Sequence, residues 1–453
     1  MALLTQVADF LWNPWLLGLF LVTGLVYSVG SGFFQLFEWR LWWNSTVSSF
    51  FRQNKQSGGG LSSIQALATA LASTMGTGSI AGVAMALSLG GPGAVFWMWV
   101  SAFLGMMTGC GEKLLSVYYQ RPGPGGTLQG GPMFYLRDGV GSPLLAALFS
   151  LACIPATLAG GNLVQSSSIA LSLETAFGCS RTAVGLVTTL LTGLVMLGGI
   201  GRIARISAAL VPVMALLYLG GGFAVLIYNA AAVPKAMGLI FSCALSPSAA
   251  LGGGCGWTIS QAVRYGVSRG VFTNEAGLGT AAIAHGAAKV DHPGRQGMWG
   301  IFEVFLSTLV VCTVTALTIL VSGVWTPEQS SALTGAPLTA AAFSSVLGSA
   351  GANIVALSLL LFAFSSILGW SYYGQQCLDY LTAGRGHLIY RTLFLLCTFL
   401  GAVWEPRAIW LLVDICNALM ALPNLAALLF LLPQALYLLR QFQSSYGFNR
   451  NTQ

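Results

Sequence analysis

The stretch STMGTGSIAGV, Ser73 to Val83, lies in the middle of an apolar run, about 61–89, that is long enough to cross a bilayer. Glycine, threonine and serine are poor helix formers, and at mid-depth in hydrocarbon every unpaired backbone N–H or C=O costs several kcal/mol. Either neighbouring helices satisfy this interruption or the interruption binds something. A second apolar run, about 258–286, is broken in the same way by RGVFTNEAGLGT, Arg269 to Thr280, which places Thr273, Asn274, Glu275, Gly277 and Gly279 at membrane depth.

Apolar runs of this length recur along the chain with short connections. Of 453 residues 55% are hydrophobic and 7% charged, and the mean hydropathy is +0.77. These values indicate an all-α polytopic membrane protein forming a single integral domain, and they exclude a β-barrel, whose signature is alternation over about ten residues. Eleven spans are expected, near 15–34, 61–89, 93–119, 143–171, 182–201, 205–228, 258–286, 296–322, 352–383, 387–404 and 407–440. The first has no basic leader or small-residue cleavage site and reads as a retained span. The last contains Pro423 and is either a kinked helix or two short spans. With the N-terminus outside, fourteen of the nineteen Lys and Arg residues fall in cytoplasmic loops, Lys113 among them. That bias places the C-terminus inside and accounts for the net charge of +7 without nucleic acid. The nine cysteines form no C-x-x-C pair and read as small buried hydrophobes; Cys179, Cys243 and Cys255, in outer loops, are read as unpaired.

The interrupted runs are the second and seventh, so they cross the membrane in opposite directions. Paired broken helices at matched positions of two inverted halves point to a transporter's central site. Where a helix unwinds, its free N–H groups favour an anion and its free carbonyls a cation, so a zwitterion with a monovalent cation satisfies both. Glycines in membrane helices also serve helix packing, and for either run alone that reading stands beside the site.

Further motifs carry a resemblance. GGPGAVFWMWVSAFLG at Gly90 to Gly105 is similar to the signature of the alanine or glycine:cation symporters, the sodium:alanine symporter family. GTGSIAGVA at Gly76, GGPMFYL at Gly130, NEAGLGTAAIAH at Asn274 and ILGWSYYGQQC at Ile367 fit the same pattern. The resemblance implies a leucine-transporter-type fold of 5+5 inverted repeats, 61–228 and 258–440, preceded by one extra N-terminal helix at 15–34. It implies uptake of alanine or glycine with Na⁺ and no organic cofactor; H⁺ coupling, or a larger neutral substrate such as glutamine, is the alternative.

Carried over by position, Thr77 and Gly78 would hold the substrate carboxylate, Gln165 its polar part, and Ser366 would line the pocket that Phe272 and Trp370 close. The carbonyls of Ala72 and Met75 with the hydroxyls of Ser365 and Ser366 would ligate Na⁺, an oxygen-only set suited to a hard cation. Ser79 stands where the family carries Asn, and Ser307 where it carries Asp, so the two are expected to face each other near the substrate carboxylate and to weaken a second cation site. Asn274 and Glu275 are candidates for coupling, Glu275 either as an intramembrane titratable group or as a cap on the half-helix that follows. Glu112 and Lys113 read as a gate or anchoring pair, and His285 and His292 as interfacial. A solute channel is disfavoured by the occluding aromatics. A membrane enzyme is disfavoured by three scattered histidines without a paired carboxylate, and no P-loop is present for ATP.

Overall fold

The computed structural model describes residues 2–50, 61–123, 126–245, 258–326, 333–404 and 407–446. In chain order the helices are α1 (Ala2–Leu11), α2 (Pro14–Gly30), α3 (Trp39–Phe50), α4 (Ser63–Thr74), α5 (Ala81–Gly90), α6 (Gly93–Tyr118), α7 (Pro143–Leu158), α8 (Val164–Phe177), α9 (Arg181–Met196) and α10 (Gly199–Tyr228). They continue as α11 (Val233–Leu245), α12 (Ile259–Asn274), α13 (Thr280–His285), α14 (Pro293–Val304), α15 (Thr313–Val321), α16 (Ala336–Leu347), α17 (Ser349–Thr382), α18 (His387–Val403), α19 (Arg407–Phe430) and α20 (Leu432–Tyr446). A two-stranded antiparallel hairpin, β1 (Arg121–Pro122) and β2 (Leu128–Gln129), follows α6.

Seven helical stretches among the described residues are long and apolar enough to cross a bilayer: Leu4–Gly30, Gly93–Tyr118, Pro143–Phe177, Gly199–Tyr228, Pro293–Val321, Ser349–Thr382 and Trp410–Phe430. The two interrupted runs are absent from this set because each is divided into two shorter helices. Two short apolar helices, α11 and α16, and the aromatic α3 were not expected; they occupy segments read as connections. The last run divides at Leu431, where Pro433 lacks the N–H that would carry the helical ladder across the junction.

Both interrupted elements begin with the same device. Ser62 caps α4 and pairs reciprocally with Gln65, and Thr258 caps α12 and pairs reciprocally with Gln261. The start of the first element packs on the end of the second, α4 on α13, and the end of the first on the start of the second, α5 on α12. The two therefore run antiparallel. At the α4 end an extended pairing fastens them: the Leu61 N–H donates to the Ala287 carbonyl at 3.2 Å, and the Lys289 N–H to the Leu61 carbonyl at 3.0 Å.

Close backbone approach sets the rest of the core. A Cβ on Gly300 would stand 2.6 Å from the Gly109 carbonyl oxygen, so α6 and α14 touch nearly backbone to backbone. That contact carries Lys113 away from the loop assigned to it and into the interior, where it is fully buried. Cys243 also departs from expectation. It lies buried on α11 against α6, because the apolar segment that holds it folds as a helix instead of an outer loop, and it is disulfide-bonded where it was read as unpaired; Cys255 lies outside the described residues.

Candidate substrate and cation site

The helix α4 ends at Met75, whose φ of −79° and ψ of 59° leave the helical region, and Thr77–Ser79 form one tight turn before α5 begins. Every residue from Met75 to Ile80 is buried. The Thr77 N–H donates to Gln165 Oε1 at 3.2 Å, and Gln165 Nε2 donates back to the Gly160 carbonyl at 3.1 Å. The buried Thr77 hydroxyl has no hydrogen-bond partner among the described residues, and the buried Ser79 hydroxyl faces the Cys312 thiol. A Cβ on Gly76 would lie 2.6 Å from Ser366 Oγ and 3.2 Å from Gln165 Oε1, so only glycine admits both groups to the backbone here.

Below the turn, oxygens converge. Ser366 Oγ lies 3.0 Å from the Ala72 carbonyl and 2.9 Å from that of Ser73, and Ser365 Oγ lies 3.0 Å from the same Ala72 carbonyl. α17 therefore presents two hydroxyls to the last carbonyls of α4, which lack helical donors because the helix stops.

Two aromatic rings flank the break. Phe272, half-buried on α12, packs on Gly78, whose Cβ would stand 3.1 Å from its ring, and its ring centroid is 5.6 Å from that of Trp410. Arg269, one turn earlier, pairs with Asp414 at 3.4 Å and lies over the same Trp410 ring, so α12 is clasped to α19 above the site. Trp370 is buried one turn beyond Ser366 and packs on Gly161, in a π-turn at Ala159–Leu163 that joins α7 to α8.

The second break holds Glu275 at φ 56°, Gly277 at 92° and Gly279 at 81°, all left-handed, the first of them strained for a residue with a Cβ. Its free amides are already engaged. Glu112 Oε1 accepts from the Gly277 N–H at 2.9 Å, the Gly279 N–H at 3.0 Å and Asn424 Nδ2 at 2.7 Å. Tyr135 donates to the Asn424 amide oxygen. Glu275 accepts from the Thr280 hydroxyl at 2.5 Å, so the cap on these amides is Glu112.

Residues 1–452 match the sodium:alanine symporter family. The chain belongs to that family. It is 42% identical to the sodium/alanine symporter AgcS of Methanococcus maripaludis over 95% of this chain and 94% of that one. It is 34% identical to a probable sodium/glutamine symporter, GlnT, of Bacillus subtilis, over 95% of this chain and 87% of that one. Among solved structures, a manganese transporter of Eremococcus coleocola superposes with a TM-score of 0.52 over 86% of this chain and 89% of that one, at 13% identity, a likeness of fold alone. The protein is thus an all-helical, multi-pass membrane protein of a symporter family.

In this family member the sequence-named residues Ala72, Thr77, Gln165 and Ser366 come together around one break, with Ser365 on the Ala72 carbonyl, Gly78 against Phe272 and Met75 closing α4. Ser79 and Ser307 do not meet through their hydroxyls. The Ser79 carbonyl accepts from Thr315 at 2.9 Å, and the Ser307 hydroxyl turns back to the Val304 carbonyl at 3.5 Å. Cys312 lies between them, its thiol facing Ser79 while donating to the Ser307 carbonyl at 3.1 Å. Asn274 reaches Thr308 at 3.2 Å.

His285 is not interfacial: it is fully buried and stands against Glu303, which in turn meets Lys113. Sequence reasoning missed Glu303, Asn424, Trp410 and Asp414. A charge inside each of the runs 296–322 and 407–440 was the available signal for Glu303 and Asp414.

Proposed function

We propose that this protein is a secondary active symporter that imports alanine or glycine with Na⁺ by alternating access. The observation that carries the proposal is the convergence of the Ser365 and Ser366 hydroxyls on the carbonyls that end α4, beside the glycine turn and Gln165. These are neutral oxygens, the donor type a hard monovalent cation takes. Each hydroxyl turns about its Cβ–Oγ bond to present a lone pair to Na⁺, with the Ala72 and Met75 carbonyls completing the cage. The ion next to the break then favours the substrate carboxylate at the Thr77 and Gly78 amides, and Gln165 exchanges its bond to Thr77 for one to the substrate.

Phe272 and Trp370 bound the side-chain space, which supports a small substrate. The matching capping boxes on two antiparallel broken elements support a division into two inverted repeats, 61–228 and 258–440, preceded by one extra N-terminal helix. The positive bias of the loops supports the α4 end as cytoplasmic and the Arg269–Asp414 clasp as external.

The test is uptake into proteoliposomes. Alanine or glycine should accumulate above equilibrium only with an inward Na⁺ gradient, and about one net positive charge should enter per substrate, because Ser79 and Ser307 supply no charge to a second cage. Equilibration without accumulation would mean a channel. A proton gradient that substitutes fully for Na⁺ would refute the ion assignment, and preference for glutamine would refute the substrate.

A further inference from the structure

Below the second break lies a chain of ionisable side chains that substrate and Na⁺ binding do not use. Glu112 Oε2 is 3.6 Å from Lys113 Nζ, Lys113 Nζ is 3.3 Å from Glu303 Oε2, and that same oxygen is 3.4 Å from His285 Nε2. All four side chains are fully buried. On the other side of the ring, His285 Nδ1 lies 2.6 Å from Gln296 Oε1.

With its amide oxygen turned to the ring, Gln296 accepts from Nδ1, which then carries a hydrogen. Among the described residues Nε2 faces only Glu303 Oε2, an oxygen that Lys113 also approaches at 3.3 Å. Without a hydrogen between them, two lone pairs would oppose each other in a dry interior. His285 and Glu303 together therefore hold one proton more than a neutral imidazole and a carboxylate. Charge points the same way: Glu112 and Glu303 make two negatives against one positive on Lys113, and the added proton brings the four groups to neutrality.

The pair sits where the molecule must part. His285 is the last residue of α13, two residues before the Ala287 carbonyl that accepts from Leu61, while Glu303 is on α14. We propose that the His285–Glu303 pair is a proton-binding site, loaded from the cytoplasm, whose proton latches α13 to α14 and keeps the inner end of the transporter shut. Release leaves neutral His285 against ionised Glu303, H⁺ passes to cytoplasmic water, and the latch loosens. The other titratable groups around it are Lys113 and Glu112 on α6, Tyr373 on α17 and Glu275 in the break itself; α4, also packed on α13, carries none. The sidedness rests on the orientation proposed above.

The test uses full-length protein in proteoliposomes with Leu61→Cys as reporter, its modification by a membrane-impermeant thiol reagent inside the vesicle being read by mass spectrometry. In the parent, rates corrected for thiol ionisation should rise as internal pH goes from acid to alkaline, by up to about tenfold per unit over the titrating range. In His285→Gln, which leaves His292 and His387 in place, corrected labelling should be fast at every pH. Glu303→Gln should also abolish the dependence, and the parent measurement stands alone should either variant fail to fold. Labelling independent of pH in the parent, or an unchanged pH dependence in a folded variant, overturns the proposal. Na⁺-driven alanine uptake is measured in the same vesicles. Uptake without a latch removes this inference and leaves the symporter, whereas a latch without uptake does the reverse.

Discussion

Glu112→Ala is the most informative single substitution for the architecture of the second break. One carboxylate oxygen accepts from two backbone amides and the Asn424 side chain, all buried, at 2.7–3.0 Å. Truncation leaves the two backbone amides without an acceptor, each costing about 1–3 kcal/mol, while Asn424 keeps its bond to the Gly277 carbonyl, so the loss is roughly 2–6 kcal/mol. Against a typical stability of about 5–15 kcal/mol, that is enough to leave much of the protein unfolded on mild heating. Glu112→Gln keeps an oxygen for the three N–H groups but loses the charge and turns an NH2 toward Lys113, 3.6 Å from the replaced oxygen; because charge-assisted bonds are about twice as strong as neutral ones, its loss should be about half as large or somewhat more. Detergent-solubilised protein heated in steps and then passed over a sizing column gives the midpoint of each variant. The expected order is parent, Gln, then Ala. Equal midpoints for Gln and Ala would show that the amides do not depend on the Glu112 oxygen, and an Ala variant as stable as the parent would refute the reasoning altogether.

Three further outcomes are expected. Ser365→Ala combined with Ser366→Ala should raise the Na⁺ concentration for half-maximal uptake by tenfold or more if the lost ligands contribute about 1.4 kcal/mol to ion binding, and unchanged Na⁺ dependence in an active variant would misplace the site. Trp370→Ala should weaken alanine and glycine uptake more than uptake of a larger neutral amino acid, whereas equal losses at normal abundance would assign Trp370 to packing alone. At the membrane surface, hydrogen bonds from Arg295 hold Asp291 well below the usual carboxylate range. A depressed folded value means stability that is present above the unfolded value of about 4 and lost as pH falls toward the folded one. The melting difference between parent and Asp291→Asn should therefore be constant from pH 8 to 5 and shrink below pH 4; because the pair is part-exposed, it should stay within about 1 kcal/mol.

Much of this protein was legible along the chain. Hydropathy gives the membrane class because an apolar segment in lipid must satisfy its own backbone, and a helix of that length leaves its trace in consecutive residues. The two breaks were visible for the same reason: Gly76–Thr77–Gly78 and Gly277–Leu278–Gly279 stand out in apolar runs, and their matched positions carry the antiparallel pairing that the fold shows. The first-break residues were named through the family resemblance, and the fold brings Ala72, Thr77, Gln165 and Ser366 together from α4, the turn after it, α8 and α17.

What the tertiary structure alone decided is which polar groups share a space once helices from distant parts of the chain are packed. Glu112 and Gly277 are 165 residues apart, and Asn424 and Glu112 are 312 apart. No local pattern reports such pairings, so the sequence left Lys113 in a loop, His285 at the interface and Glu303 unnoticed. The near contact of Gly109 with Gly300 places these charges together. Likewise Ser79 and Ser307 looked like partners by position, but the rotation of the π-helical segment Phe305–Cys312 puts Cys312 between them. Helix phase is set by packing, and a one-residue change in phase turns a side chain by about 100°.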